Sequence, residues 1–81
     1  MMPKLQLAKA LLADALRVDP SRIPDDATMR SFKQWDSLSH MELIALTEEK
    51  LSCTLTMDDI VRMTSLEGLA TLLAEYGKAA P

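Results

Sequence analysis

Cys53 is the only cysteine and His40 the only histidine in a chain of 81 residues. A lone thiol excludes an internal disulfide, and one thiol with one imidazole cannot make a structural zinc site, so the fold needs no metal. Glycine is scarce at two residues, and the four prolines stand mostly near segment edges. No run of alternating β-branched residues extends beyond a few positions, so helices dominate and the expected class is all-α. No apolar run approaches the roughly 20 residues that span a bilayer. The N-terminal MMPKLQLAKALLADALRVD is interrupted by Lys9 and Asp14 rather than built like a signal peptide. A soluble, cytoplasmic chain without membrane insertion is expected.

What is present is globular composition: 48% hydrophobic and 26% charged residues, well away from the profile of disorder. A chain this short has interior enough for one core, which predicts a single domain over 1–81 and leaves little room for an enclosed active site. The net charge of −3 is unevenly spread. Residues 1–36 carry six basic and five acidic groups, whereas 37–81 carry three basic and seven acidic. Nucleic acid would need a basic patch, so the acidic second half points instead to protein partners with basic docking surfaces.

From Lys4 to Arg17, Leu5, Ala8, Leu12, Ala15 and Leu16 recur at spacings of three and four, which predicts a first helix with Pro3 in its first turn. Pro20 and Pro24 end it. Residues 18–36 make a connection long enough to suggest a functional loop or a short hidden element, and Ile23, Met29, Phe32 and Trp35 offer apolar anchors for it. A second helix is predicted over Ser37–Leu51, with Asp36 as N-cap, Leu43, Ile44, Leu46 and Leu51 facing the core, and Glu42, Glu48 and Glu49 facing water. Thr56 with Asp59 resembles a capping box and opens a short third helix, Met57–Met63. Thr64 with Glu67 repeats the device for a last helix through Leu66, Leu69, Ala70, Leu72 and Leu73, stopped by Gly77 before a frayed tail over about 77–81. Three longer helices, one short third helix and a long first loop make a small four-helix bundle.

Ser37 is the residue on which function turns. As a nucleophile it would need a base and an oriented third group; His40, three residues on, is a poor candidate on an exposed helix start without a G-x-S-x-G elbow. No catalytic residue is assigned. Serine is also common simply as a helix-starting residue, but Asp36 already fills the capping role and leaves the Ser37 hydroxyl available.

The run WDSLSHMELIALTEEKLSCTLTMDDIVRMTSLEGLATLL, Trp35 to Leu73, resembles acyl carrier proteins and peptidyl carrier domains, families with a D-S-L motif at the start of the second helix of a four-helix bundle. The tripeptide alone is weak. Its position, the glutamates late in the second helix, the MDDIVRM segment and the T-S-L-E start together make the match specific. The resemblance implies that Ser37 accepts a 4′-phosphopantetheine arm from coenzyme A, delivered by a separate phosphopantetheinyl transferase that uses Mg²⁺. The arm's thiol then holds acyl groups as thioesters. The chain is expected to be a freestanding, monomeric carrier rather than an enzyme. Its partners would be the transferase and acyl- or aminoacyl-loading ligases, synthases or transferases.

By the same match, Asp36 caps the second helix and aids transferase docking, Leu38 and Met41 give an apolar spot near the arm, and Glu42, Glu48 and Glu49 meet basic partner residues. The chain departs from fatty-acid carriers at Ser39, where many have an acid, at Trp35, where a small residue is common, and at Lys50 within the acidic run. These departures point to a specialised, pathway-dedicated carrier, with Trp35, Ser39 and His40 as candidate pathway-specific contacts. An aminoacyl or peptidyl carrier, or a helical adaptor with no prosthetic group, are the alternatives. Cys53 reads as a small packed hydrophobe, Trp35 as a loop anchor, and Met29, Met57 and Met63 as adaptable core. Asp58 and Asp59 need no cation, since acids at a helix start answer the dipole, and no metal site is assigned.

Overall fold

The computed structural model describes the backbone of residues 3–79 and the side chains of 5–76. Helices form at α1 (Pro3–Leu16), α2 (Ser37–Leu51), α3 (Met57–Arg62) and α4 (Leu66–Ala79), with a 3₁₀ turn at Pro20–Arg22. They make the expected four-helix bundle, and no strand occurs among the described residues. No helix among them is long and apolar enough to cross a membrane.

The core explains the arrangement. Leu66, Leu69, Leu72 and Leu73 form the buried stripe of α4, three of them with no exposed surface, and each fully buried leucine contributes about 2 kcal/mol. α1 packs against both α4 and α2. It therefore buries a wider face than its spacing suggested: Leu11 and Ala13 join Ala8, Leu12 and Ala15 in the core, while Leu5 and Leu16 lie half-buried at its edge. α2 contributes Leu43 outright and Ile44, Leu46 and Leu51 in part. Thr47 is fully buried on the same face, and its hydroxyl donates to the Leu43 carbonyl at 2.7 Å, so a polar side chain enters the core without an unmet hydrogen bond.

Helices α1 and α2 both end on a left-handed residue that is not glycine, Arg17 at φ 60° and Ser52 at φ 53°. In each case the following N–H turns back onto the last helical turn: Val18 donates to Ala13 at 3.1 Å and Cys53 to Glu48 at 3.2 Å. These are Schellman-type closures. The half-buried Cys53 packs against the core.

The long connection does hide a short element. Asp19 caps the 3₁₀ turn, accepting from the Ser21 N–H at 2.9 Å and the Ser21 hydroxyl at 2.8 Å. Farther on, Met29 donates to the Thr64 carbonyl and Leu66 to the Ala27 carbonyl, each at 2.9 Å, stitching the loop to the start of α4. Ile23, Ala27 and Trp35 are buried anchors, and Met29 and Phe32 pack against them in part.

Three expectations need correction. Gly77 does not stop the last helix, which continues to Ala79; residues 80 and 81 lie outside the described residues. Thr64 does not cap it either. Its hydroxyl turns back to the Val61 carbonyl at 2.8 Å, and Ser65 takes the capping position, with Oγ accepting from the Gly68 N–H at 2.9 Å. Met57 is not core: it is 76% exposed at the start of α3, whereas Met63 is fully buried.

Candidate functional site

The end of the long loop and the first turn of α2 are built by two adjacent devices. Asp36 sits in extended backbone at φ −98° and accepts from the Ser39 N–H at 2.9 Å, which satisfies one of the free donors of the helix start. That backbone hydrogen bond, helped by Ser39's side chain, holds the Asp36 carboxyl below its ordinary range. The acid is thus charged at neutral pH, where the helix dipole favours it. Ser37 follows as the first helical residue, exposed to solvent.

The second device lies beneath. Trp35 is 1% and His40 7% exposed, and the Trp35 indole Nε1–H donates to His40 Nδ1 at 3.1 Å. On the other side of the ring, Nε2 lies 3.1 Å from the Ile60 carbonyl oxygen of α3. An indole N–H only donates and a carbonyl only accepts, so the imidazole is neutral with its proton on Nε2. Both ring nitrogens are committed. His40 therefore has no lone pair for a proton from Ser37, and the hydrolase geometry is not assembled.

Of the sequence-derived site residues, Asp36, Ser37, Leu38, Met41, Glu42 and Glu49 are exposed. Leu38 is 78% and Met41 67% exposed, large values for apolar side chains. Glu48 is different. It is half-buried, and its Oε2 accepts from the Leu55 N–H at 2.9 Å, so this acid secures the turn into α3. Trp35 and His40 face inward rather than outward, and Ser39 is half-buried. The sequence reading missed Met57 and Val61, 76% and 66% exposed on α3, which extend the set of bare apolar side chains beyond α2. Their signal was faint, because a six-residue helix gives too few turns to separate an inner from an outer face.

Among the described residues no cluster of three His, Cys, Asp or Glu could hold a metal ion. The acids of α3 serve the fold: Asp59 and Thr56 complete a reciprocal capping box, and Asp59 also accepts from Tyr76. The site is thus an open surface carrying a free hydroxyl between an acid and an exposed leucine.

A family model described as a phosphopantetheine attachment site matches residues 6–73. The chain belongs to that family. Domains of that family are non-catalytic carriers of covalently attached 4′-phosphopantetheine. A search of curated proteins found no match. Ser37 is exposed at the first turn of α2, while the hydroxyls of Ser21, Ser31 and Ser65 are engaged with Asp19, Thr28 and Gly68.

Proposed function

We propose that this chain is an acyl carrier protein whose 4′-phosphopantetheine arm is attached to Ser37, serving a specialised biosynthetic pathway. One observation carries the reading: within a chain of the phosphopantetheine family, the D-S-L serine is solvent-exposed at the first turn of α2 while its neighbour Asp36 does the capping. The arm, once attached, holds acyl groups as thioesters on its terminal thiol. Base and Mg²⁺ for the attachment come from the transferase, which is why an open surface suffices here.

Leu38 and Met41 on α2, joined by Met57 and Val61 on α3, serve as the apolar grip for partners. Asp36, Glu42 and Glu49 supply surrounding charge that speeds encounter without tight binding. Transferase and acyl-loading enzymes with basic docking surfaces are the expected partners. Ser39 in place of the common second acid favours a dedicated pathway over primary fatty-acid synthesis. It also keeps an aminoacyl or peptidyl carrier as the second reading.

The test is incubation with coenzyme A, Mg²⁺ and a broad-specificity transferase, followed by intact mass. The native chain gains one phosphopantetheine and Ser37→Ala gains none; an equal gain in both overturns the attachment site. Offering the modified chain to acyl- and aminoacyl-loading enzymes separates the two carrier readings by the thioester formed.

A further inference from the structure

The Trp35–His40–Ile60 chain of hydrogen bonds is the one buried polar arrangement near Ser37 that the carrier chemistry does not use. Trp35 lies two residues before Ser37 and His40 three after it, so their 3.1 Å bond bridges the junction that presents the serine. The ring then reaches across to α3. Ile60 stands in the last turn of a six-residue helix, where carbonyls have no partner within the helix. The neighbouring Val61 carbonyl is met by the Thr64 hydroxyl, and the Ile60 carbonyl by His40. His40 is therefore a remote C-terminal cap for α3, supplied by α2.

The position of this contact matters for the surface. The next residue after His40 is Met41, and the next after Ile60 is Val61, both largely exposed. The 3.1 Å bond thus links the two helices one residue away from an exposed apolar side chain on each. At the other end of α2, Glu48 secures the turn into α3 through the Leu55 N–H, and α3 packs on α4.

We infer that Trp35 and His40 are positioning residues: the neutral Nε2–H imidazole, oriented by the Trp35 indole, holds α3 in register with α2 so that Ser37 and the two-helix apolar face meet a partner enzyme together. The inference rests on Ser37 as the attachment point. The arrangement needs a side chain that accepts on one side and donates on the other, which a neutral imidazole does with both ring nitrogens fixed in one plane.

The test combines spectroscopy with transferase kinetics on the full chain, using coenzyme A as co-substrate. Two-bond proton–nitrogen spectra of ¹⁵N-histidine-labelled protein at neutral pH show the Nε2–H tautomer; an Nδ1–H tautomer overturns the proposal. His40→Leu, lacking both bonds, raises the KM for the carrier about tenfold with kcat little changed, as lost positioning of a docking face requires. His40→Gln, whose amide nitrogen can still reach the Ile60 carbonyl, stays within about threefold of native. Trp35→Phe keeps the aromatic volume, loses the N–H, and allows the other histidine tautomer to appear. A KM for folded His40→Leu equal to native overturns the proposal; if that variant does not fold, KM values for His40→Gln and Trp35→Phe that do not differ from each other, with the tautomer unchanged in Trp35→Phe, overturn it instead. Absence of any mass gain in the native protein overturns the attachment reading, while the tautomer and its response to Trp35→Phe still report on the brace.

Discussion

The Tyr76 hydroxyl donates a 2.5 Å hydrogen bond to Oδ2 of Asp59, joining α4 to the first turn of α3. Asp59 also takes the Thr56 N–H in the capping box, at 3.2 Å, and has Arg62 nearby at 3.7 Å. The Tyr76 bond is the main reason the Asp59 carboxyl is held below its ordinary value, with the Thr56 bonds adding to it against the opposing effect of burial. The same bond pushes the Tyr76 phenol up to about 12.

Two limbs of a pH–stability profile follow. Asp59 is the depressed case, so its contribution is complete above the ordinary value of 3.8 and is lost as pH falls through the lower folded value. Tyr76 is the raised case: its contribution is complete below 10.0 and is lost as pH rises towards about 12. Tyr76→Phe should lower stability at neutral pH, reduce the acid-limb slope and remove the tyrosine's share of the alkaline slope. Urea unfolding of both proteins across pH reads this directly, and parallel alkaline limbs would show that the bond is not made.

Gly68 is required by space rather than by backbone angle. A Cβ at this position would lie 1.8 Å from the Arg62 carbonyl oxygen, so the start of α4 crosses the end of α3 too closely for any side chain. Gly68→Ala must separate the two elements and should destabilise the domain by about 1–3 kcal/mol despite alanine's better helix propensity. For a domain of this size that is a Tm lower by on the order of 10 °C. A Tm equal to or above native in a thermal scan would refute the close approach.

Asp36 has two separable properties, an acceptor for the Ser39 N–H and a negative charge at the helix start. Asp36→Asn keeps the acceptor and removes the charge, whereas Asp36→Ala removes both. Thermal stability should therefore fall more in the alanine variant than in the asparagine variant. Transferase modification at low salt should slow in both, with the difference from native shrinking as salt rises. Because the carboxyl is held below 3.8, the charged contribution persists through neutral and mildly acidic pH and is lost as pH falls through the folded value. Equal modification rates for native and asparagine proteins at low salt would mean that the charge plays no part in docking.

Local signals were legible and distant ones were not. Asp36 and the Thr56–Asp59 box act within three residues of themselves, and the sequence placed both. At the start of α4 two adjacent hydroxyls competed, and pattern alone could not say that Thr64 would turn back to Val61 and leave Ser65 to cap. Gly77 read as a stop because glycine weakens helices, yet α4 continues through it to Ala79. Of the candidate site, the available serine followed from the capping argument, and its two apolar neighbours from the family resemblance. Trp35 was readable as a buried loop anchor, but the inward turn of His40 was not, because it depends on a carbonyl twenty residues away in sequence.

The bare apolar face yields a prediction in which stability and recognition move independently. Leu38, Met41 and Val61 are each at least 66% exposed, so replacing any of them by serine should change folding stability by no more than about 0.5 kcal/mol, apart from a small loss of helix propensity. If the face is a partner surface, the same changes remove buried contact in the complex: Leu38→Ser and Met41→Ser should raise the transferase KM several-fold, on the order of 1 kcal/mol each. Val61→Ser, on the neighbouring helix, should behave alike and combine with Met41→Ser less than additively, as expected for side chains that share one partner pocket. Unfolding midpoints and transferase kinetics on the same samples check both halves. Native KM values with intact folding in all three variants would remove these side chains from the docking surface and leave the acids and Ser37 as its determinants.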